Sequence, residues 1–241
     1  MLSARSKQVR RDAIALSKSN GGYHYGGSFS CAEILINLWD HIMDEKDRFV
    51  LSKGHGCWIY YVILREKGFN PTLEGHPHYE PENGIYCTSG SMGHGLPVGI
   101  GMALARKIKN QSGSVFILMG DGECQEGTTW ESILLGAKLG LGNLVAIVDS
   151  NGIQGSGFVD EILPVTNVLK ETAKSAGWRV VNLDGHNDEI LSVNFVNQQV
   201  PTLIIANTVK GKGVSFMENS PKWHSNWLGG DLEQQAMEEL T

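Results

Sequence analysis

The sequence predicts an α/β fold in which a parallel sheet is flanked by helices on both faces. Five apolar runs of strand length occur along the chain, and helical patterns stand between most of them. Strands buried on both faces appear as continuous apolar runs, and their alternation with helices is typical of parallel sheets. The 241 residues, 41% of them hydrophobic, are enough for one large domain, which we expect to span residues 1–241.

The predicted elements follow in order. Residues 4–18 and 31–43 have the apolar spacing of amphipathic helices, with a glycine-rich loop at 19–30 between them. RFVL leads into the loop SKGHG, and WIYYVILREKG has the pattern of a buried helix. Residues 71–95 are rich in Pro, Gly and His, which predicts a long irregular segment that is either functional or disordered. A helix over 94–109 then precedes the strands SVFILMG, NLVAIVDS, WRVVNLD and PTLIIANT.

Composition excludes several classes of protein. The net charge of −6 provides no basic surface for nucleic acid or an anionic membrane, and no apolar run could cross a bilayer. The N-terminus lacks the apolar core of a secretory signal, and the four cysteines show no C-x-x-C spacing. Free thiols in this number are typical of a reducing compartment, so we expect a cytoplasmic protein.

The strongest functional signal lies where two apolar strands end. Asp121 follows SVFILMG between two glycines, and Asn151 follows NLVAIVDS. Ligands of open parallel sheets bind beyond the carboxyl ends of strands, so these two side chains converge if the strands are neighbours. A carboxylate, an amide oxygen and a backbone carbonyl from Ile153 form an oxygen set that suits Mg²⁺ or Ca²⁺.

The same stretch predicts a phosphate site. Gly120 and Gly122 allow the backbone to approach a phosphate closely, and a helix expected to begin near Gln125 directs its N-terminal N–H groups to the same place. The sequence therefore predicts a diphosphate that is bound through a divalent cation.

The motifs of this chain resemble those of the transketolase family. GDGE, a helix and then DSNGIQ resemble the family's thiamine-diphosphate motif. Further matches occur in family order at HYGGSFS (24–30), RFVLSKGHG (48–56), GHP (75–77), SGSMGHGL (89–96), VKGKGVSFMEN (209–219) and KWHS (222–225). The resemblance covers almost the whole chain and implies the thiamine-diphosphate-binding fold.

The resemblance implies a role for each matched residue. The metal, Mg²⁺ with Ca²⁺ or Mn²⁺ as possible substitutes, would be held by Asp121, Asn151 and the carbonyl of Ile153. The cofactor thiamine diphosphate would be bound by His55, Gly90, Ser91, Met92, Gly122, Glu123, Asn151, Lys210 and His224. The catalytic set would be His24, His76, His224 and Glu126, the last of which would link to a glutamate on another chain.

The remaining candidates divide into site and structural residues. Histidine exchanges protons near neutral pH, which suits the handling of sugar hydroxyls, and His94 in the SGSMGHGL segment is expected with the site. His41 and His186 are expected to be satisfied surface or core residues, and His78 is left open. Trp130 and Leu134, on the helix after GDGE, are expected in the core.

The resemblance also implies a missing half. Full-length transketolases continue with a pyrimidine-binding domain and a C-terminal domain, which we expect on a partner chain in an α2β2 assembly. The implied activity is transfer of a two-carbon ketol unit from a ketose, expected to be phosphorylated, to an aldose. Tyr25 and Ser225 depart from the family pattern near the substrate channel.

Two alternatives stay open at this stage. One is a subunit of another thiamine-diphosphate enzyme, either a 2-oxo acid decarboxylase or dehydrogenase or an enzyme resembling deoxyxylulose-phosphate synthase. The other is a non-catalytic remnant that only binds. The strings SKGH, GHP and KGKGV favour transketolase over the other thiamine-diphosphate enzymes. The intact set of Asp121, Asn151, Glu126 and the histidines argues against a remnant.

Overall fold

The five predicted strands form one fully parallel sheet. The computed structural model describes residues 2–195 and 198–241. Within them, β1 (Arg48–Leu51), β2 (Val115–Gly120), β3 (Leu144–Ser150), β6 (Arg179–Asp184) and β7 (Thr202–Asn207) lie in the order β1-β2-β3-β7-β6. Every pairing in the sheet is parallel, which confirms the predicted fold class. A short antiparallel hairpin of β4 (Ile153–Gln154) and β5 (Gly157–Phe158) follows β3 and was not predicted.

Helices cover both faces of the sheet. One face packs against α1 (Ala4–Lys18), α3 (Ala32–Asn37), α4 (Cys57–Glu66) and α9 (Asp231–Glu239). The other packs against α5 (Gly95–Ile108), α6 (Gly127–Leu139) and α8 (Thr166–Ala176). The short helices α2 (Tyr25–Ser30) and α7 (Val159–Ile162) lie beside the loops that follow the strands.

Strand β2 shows why its sequence is apolar without alternation. Phe116 and Leu118 belong to the core under α1 and α4, whereas Ile117 and Met119 belong to the core under α5 and α6. Successive side chains of a strand point to opposite faces, so a sheet that is covered twice needs an apolar residue at every position. Each such side chain contributes roughly 1.5–3 kcal/mol when it is fully buried.

The expected glycine-rich loop at 19–30 is wrong over its second half, because Tyr25–Ser30 is helical. The glycines there serve close contacts and not a flexible loop. A Cβ on Gly26 would lie 2.6 Å from the carbonyl oxygen of Trp223, and one on Gly27 would lie 2.8 Å from the ring of His55. Tertiary packing therefore overrides the low helix propensity of glycine here.

Other boundaries also differ from the prediction. The helix expected at 31–43 is α3 followed by a π-helical turn at Leu38–Ile42. The helix expected near Gln125 is a 3₁₀ turn at Gly122–Gln125 that leads into α6. The segment 71–95 is irregular as predicted, apart from a 3₁₀ turn at Pro81–Asn83 and the first residue of α5.

The prediction that Leu134 lies in the core is wrong, and Trp130 is only partly buried. Leu134 is 59% exposed, and Trp130 packs at the margin of the second core. The buried side of α6 is formed by Thr129, Ser132, Ile133 and Gly136. At 3.6 residues per turn, Leu134 therefore falls on the outer side.

The thiols Cys31, Cys57, Cys87 and Cys124 are all free. Over the described ranges, no helix combines the length and the apolar character that a membrane crossing requires.

Candidate active site

A cavity of about 400 Å³ lies at the carboxyl ends of the strands. It is bordered by the loops that follow β1, β2 and β3, because parallel strands end at the same edge of the sheet. Of the predicted site residues, it is lined by His24, His55, His76, Gly90, Met92, Asp121, Gly122, Glu123, Glu126, Asn151, Ile153, Lys210 and His224. The structure thus brings together residues from motifs that are far apart along the chain.

Asp121 and Asn151 meet as their strand positions predicted. The register pairs Gly120 with Asp149, so the residues that follow both strands lie side by side. The two carboxylate oxygens of Asp121 accept hydrogen bonds from the N–H groups of Gly122 (2.8 Å) and Gly152 (2.6 Å). These bonds fix the carboxylate at the floor of the cavity.

The side-chain amide of Asn151 has a defined orientation. Its Nδ2 donates to Asp149 Oδ2 (3.1 Å) and Ser30 Oγ (3.3 Å), and its Oδ1 accepts from the N–H of Ile153 (3.1 Å). The carbonyl oxygen of Ile153 accepts from Lys210 Nζ at 2.8 Å. This carbonyl therefore already faces a positively charged group.

The residues at this corner fit a divalent cation. Burial, together with the charge of Asp149, raises the pKa of Asp121 to about 6. A buried carboxylate of this kind is costly to ionise unless a cation lies next to it. Asp121, Asn151 and Ile153 present only oxygen atoms as ligands, which is the donor set of Mg²⁺ and Ca²⁺. Only one of these three ligands is a carboxylate. Accordingly, the described residues contain no cluster of three or more His, Cys, Asp or Glu side chains suited to a metal.

Behind the predicted ligands lies a buried ion pair that sequence reasoning missed. Lys53 Nζ contacts Asp149 Oδ2 and donates to the carbonyl of Gly27 at 2.7 Å. The carboxylate of Asp149 also accepts from Ser30 Oγ (2.6 Å) and from Thr208 Oγ1. Burial disfavours both charges, but their mutual attraction outweighs it, which raises the pKa of Lys53 and lowers that of Asp149.

The signal for this pair was present in the matched strings SKGH and DSNG. Asp149 lies inside the apolar run of β3, so the strand pattern alone indicates no chemical role for it. Its four donors, one of them the amide of Asn151, show that it orients a predicted ligand.

Four histidines form a cluster in the same cavity, and His224 is linked to the predicted ligand Ile153 through Lys210. The ring centroid of His24 lies 5.5 Å from that of His55, 6.1 Å from that of His76 and 5.4 Å from that of His224. Burial lowers the pKa of all four, that of His224 to about 3 with the help of the Lys210 charge. Neutral imidazoles can each offer one donor and one acceptor.

Hydrogen bonds assign the tautomers of two of these rings. His24 Nδ1 contacts the carbonyl oxygen of His224, which can only accept, so Nδ1 carries the proton and Nε2 is an acceptor. Lys210 Nζ lies 2.8 Å from His224 Nδ1; burial, with the charge of Lys53, lowers the pKa of Lys210 to about 8. Its ammonium form donates, so His224 Nε2 carries the proton. The cavity therefore has one histidine acceptor beside one histidine donor.

The backbone at His24 is unusual. Its φ of 63° places a non-glycine residue in the left-handed region, directly before α2. Such conformations cost of order 1–3 kcal/mol and persist only where the surroundings fix them. The contact with the carbonyl of His224 is one such constraint.

The SGSMGHGL segment is divided between the cavity and the surface. Gly90 and Met92 line the cavity, and Met92 is 57% exposed at its rim. Ser91 and His94 are exposed and are not among the lining residues; their side chains contact each other at 3.2 Å. The ring of His94 turns back to its own loop, where its Nδ1 contacts the carbonyl oxygen of Met92 at 2.9 Å, and its role in the site stays a prediction.

Glu126 belongs to the cavity, whereas the remaining histidines lie outside it. Glu126 lines the cavity at the residue before α6. His186 is satisfied by Glu33 Oε2 (2.9 Å) and the N–H of Val209 (2.7 Å), as predicted for a structural histidine. His41 is exposed, and His78 pairs with Glu74 at 3.0 Å on the surface.

The family described as "Transketolase, thiamine diphosphate binding domain" matches residues 6–240. The chain belongs to this family. A similar relative is an apulose-4-phosphate transketolase subunit of Actinobacillus succinogenes, 36% identical, with 99% of this chain and 95% of that protein covered. The 6-deoxy-6-sulfo-D-fructose transketolase subunit of a Clostridium species is 35% identical, with 90% and 88% covered.

Solved structures agree with this assignment. The transketolase of Campylobacter jejuni superposes with a TM-score of 0.84 at 27% identity, and 98% of this chain covers 42% of that one. The transketolase of Leishmania mexicana gives a TM-score of 0.87 at 24% identity and supports the fold, with 41% of its length covered. The predicted resemblance to the diphosphate-binding subunit of a two-chain transketolase is confirmed, because relatives that this chain covers almost in full are themselves named as single subunits of transketolases.

Proposed function

We propose that this chain is the thiamine-diphosphate-binding subunit of a two-chain transketolase. The reaction is transfer of a two-carbon ketol unit from a ketose to an aldose. The observation that carries the proposal is the junction of an oxygen-ligand corner with four neutral histidines in one cavity. Relatives named for apulose 4-phosphate and 6-deoxy-6-sulfo-D-fructose favour a sugar substrate with an anionic group, such as a phosphorylated ketose.

The residues at the floor of the cavity would hold the cofactor. Mg²⁺ would be bound by Asp121, Asn151 and the carbonyl of Ile153, and Ca²⁺ or Mn²⁺ could take its place. The ammonium of Lys210 would bind the diphosphate, with His55 and His224 beside it. The N–H of Gly122, the other predicted donor, would join it only by giving up its bond to Asp121 Oδ1. When bound, thiamine diphosphate supplies the group that stabilises the carbanion formed on carbon–carbon cleavage.

The histidines would manage the protons of the sugar hydroxyls. His24 Nε2, an acceptor in this tautomer, is suited to receive a hydroxyl proton. His224 Nε2–H is suited to donate a hydrogen bond to a substrate oxygen in the same cavity. The ring centroid of His76 lies 6.1 Å from that of His24. Burial keeps these rings neutral, so each can act without first losing a proton to solvent.

The partner would be a second chain that carries the pyrimidine-binding domain, in an α2β2 assembly. The helices α5 and α6 pack side by side, and their outer surfaces carry the exposed apolar residues Val98, Ile108, Leu134 and Leu135. We call this set the α5–α6 face. Both helices begin just after residues that line the cavity, α5 after Met92 and α6 after Glu126, so a partner that covered this face and the rim of the cavity could complete the site. Four free thiols favour a reducing, cytoplasmic location.

The test is Mg²⁺-dependent binding of thiamine diphosphate. The substitution Asp121→Asn keeps the shape of the ligand but removes its charge, and we expect the affinity to fall by about 100-fold. Asp160→Asn, an exposed position on α7, is the matched control and should bind as the wild type does. Isothermal titration of the chain with its co-purified partner, with and without EDTA, measures both, and ketol transfer on sugar phosphates follows. Unchanged affinity in Asp121→Asn would contradict the proposed metal site.

A further inference from the structure

Glu123 is a buried carboxylate whose oxygens are occupied by protein donors. Its Oε1 accepts from the N–H of Gly120 at 2.8 Å. Its Oε2 accepts from Ser52 Oγ at 2.6 Å and from the N–H of Gly93 at 2.9 Å. The residue is 4% exposed. One side chain therefore joins the loops that follow β1 and β2 to the segment before α5.

The segment 90–93 is held through both polar groups of Gly93. While the N–H of Gly93 donates to Glu123, its carbonyl accepts from Thr128 Oγ1 at 3.0 Å. Gly93 has a φ of 76°, and a Cβ there would lie 2.5 Å from Cβ of Glu126. The segment is thus seated on the start of α6 with no room for a side chain.

The third donor extends the network to α5. Ser52 Oγ donates to Glu123 and itself accepts from the N–H of Gly95 at 3.2 Å. The first residue of α5 is in this way tied to the end of β1. The network lies in the wall of the cavity and connects its borders near Gly90 and Gly120.

We propose that Glu123 is a positioning residue, which fixes segment 90–93 against the end of β2 before any ligand binds. The three donors use three of the about four acceptor positions of its carboxylate, so the side chain is bound mainly within the protein, whereas the family resemblance implied that Glu123 binds the cofactor. On the proposed function, the positioned surfaces are those for the aminopyrimidine at 90–92 and for the metal and diphosphate at 120–122. The positioning role is argued from the structure, and only the identity of the ligand, thiamine diphosphate with its metal, rests on the proposed function.

The substitution Glu123→Gln tests the role with almost no change in shape. An amide has one accepting oxygen and one donating nitrogen. In either orientation, the nitrogen faces the N–H of Gly120 or that of Gly93, which leaves one buried donor without a partner. Glu171→Gln, on the exposed surface of α8, is the matched control.

The first readout is hydrogen–deuterium exchange of the chain without cofactor. We expect exchange at 89–96 and at Gly120 to rise by about 10-fold in Glu123→Gln, while α4 exchanges as in the wild type. Thr128→Val should accelerate exchange at 90–93 but leave exchange at Gly120 unchanged, because it removes only the bond to the carbonyl of Gly93. Should Glu123→Gln fail to fold, Thr128→Val still tests the seating of this segment.

The second readout is titration with thiamine diphosphate and Mg²⁺. The apparent affinity falls in proportion to the fraction of time for which the segment is seated, so a segment seated for a tenth of the time binds 10-fold more weakly; we expect weaker binding, by at most about 10-fold, with a nearly unchanged rate at saturating cofactor. Equal exchange in Glu123→Gln and Glu171→Gln, or acceleration spread evenly over α4, would overturn the proposal. If the wild-type chain bound no thiamine diphosphate, the proposed function would fail, while the exchange measurement would still decide the role of Glu123.

Discussion

The pKa values of two buried carboxylates, Glu33 and Asp121, are shifted in opposite directions because their neighbours differ. Burial disfavours the charge of Glu33, but hydrogen bonds from His186 and Ser6 and the charge of Arg10 lower its pKa to about 2. For Asp121, burial and the nearby Asp149 raise the pKa to about 6. The first carboxylate has its full set of partners within the fold, whereas the second is stabilised in its charged form when a cation is supplied.

Replacement of Glu33 should therefore destabilise the protein strongly. Glu33→Gln leaves the guanidinium of Arg10, which is fully buried, without a negative partner. We expect a loss of about 3–5 kcal/mol in the free energy of unfolding, measured with urea. Glu66→Gln removes a similar two-point contact with Arg5 at the surface and should cost about 0–1 kcal/mol. Equal losses in the two variants would contradict this account.

The ion pair of Glu33 with Arg10 also predicts how the free energy of unfolding depends on pH. The folded-state pKa of Glu33 lies below its ordinary value of 4.5, so its contribution is fully present above that pH and is lost as the pH falls toward about 2. The wild type should lose more stability than Glu33→Gln between these limits. Urea unfolding at a series of acid pH values measures the difference.

At the residue scale, the sequence predicted the residues that line the cavity better than the residues that hold them in place. Asp121, Asn151 and the site histidines stand in motifs or at strand ends, where chemistry and position point to the same role. Lys53 and Asp149 stand inside strings that look like strand and loop. Their role depends on contacts between residues 96 positions apart, which no local pattern contains.

At the element scale, the five strands were predictable because burial on both faces demands an unbroken apolar run. Helix α2 was not, since its glycines argue against a helix and its packing against His55 and Trp223 cannot be read locally. Helix α8 was not predicted either, although its sequence is amphipathic, with Leu169 and Ala173 on the buried side.

The seating of segment 90–93 on α6 gives a prediction about glycine. Gly93→Ala places a side chain in the left-handed region and also 2.5 Å from Glu126 Cβ. Gly68→Ala, at a φ of 90° with nothing within 4 Å, carries the conformational strain alone. We expect Gly68→Ala to lower the free energy of unfolding by about 1–2 kcal/mol and Gly93→Ala by clearly more. Thermal and urea unfolding provide the comparison, and equal effects would show that segment 90–93 can move aside.

At the scale of the whole molecule, the motifs predicted the family and pointed to a partner chain. Their order along the chain matched the family from residue 24 to residue 225. The sequence could not reveal which surface lies open, because Leu134 has the pattern of a core residue and is exposed in the fold. Exposure is a property of the assembled helices, and the α5–α6 face becomes visible only when α5 and α6 are packed on the sheet.

This face provides the last prediction, which concerns assembly. Leu134→Glu changes a side chain that is 59% exposed, so the free energy of unfolding of the chain should change by less than about 0.5 kcal/mol. If the face binds the pyrimidine-binding partner, the charge would be buried in the interface, and the affinity for that partner should fall at least about 10-fold. Leu232→Glu is the control, since Leu232 is 41% exposed on α9, which packs on the opposite side of the sheet.

The measurement is capture of the partner by each tagged variant, followed by titration of the purified pair. Loss of capture in Leu134→Glu alone would assign the α5–α6 face to the partner and would explain why the cavity opens beside Met92. Equal capture by both variants would move the interface elsewhere. Loss of capture in both variants would indicate that the introduced charge disturbs the fold, which the unfolding curves of the two variants would then reveal.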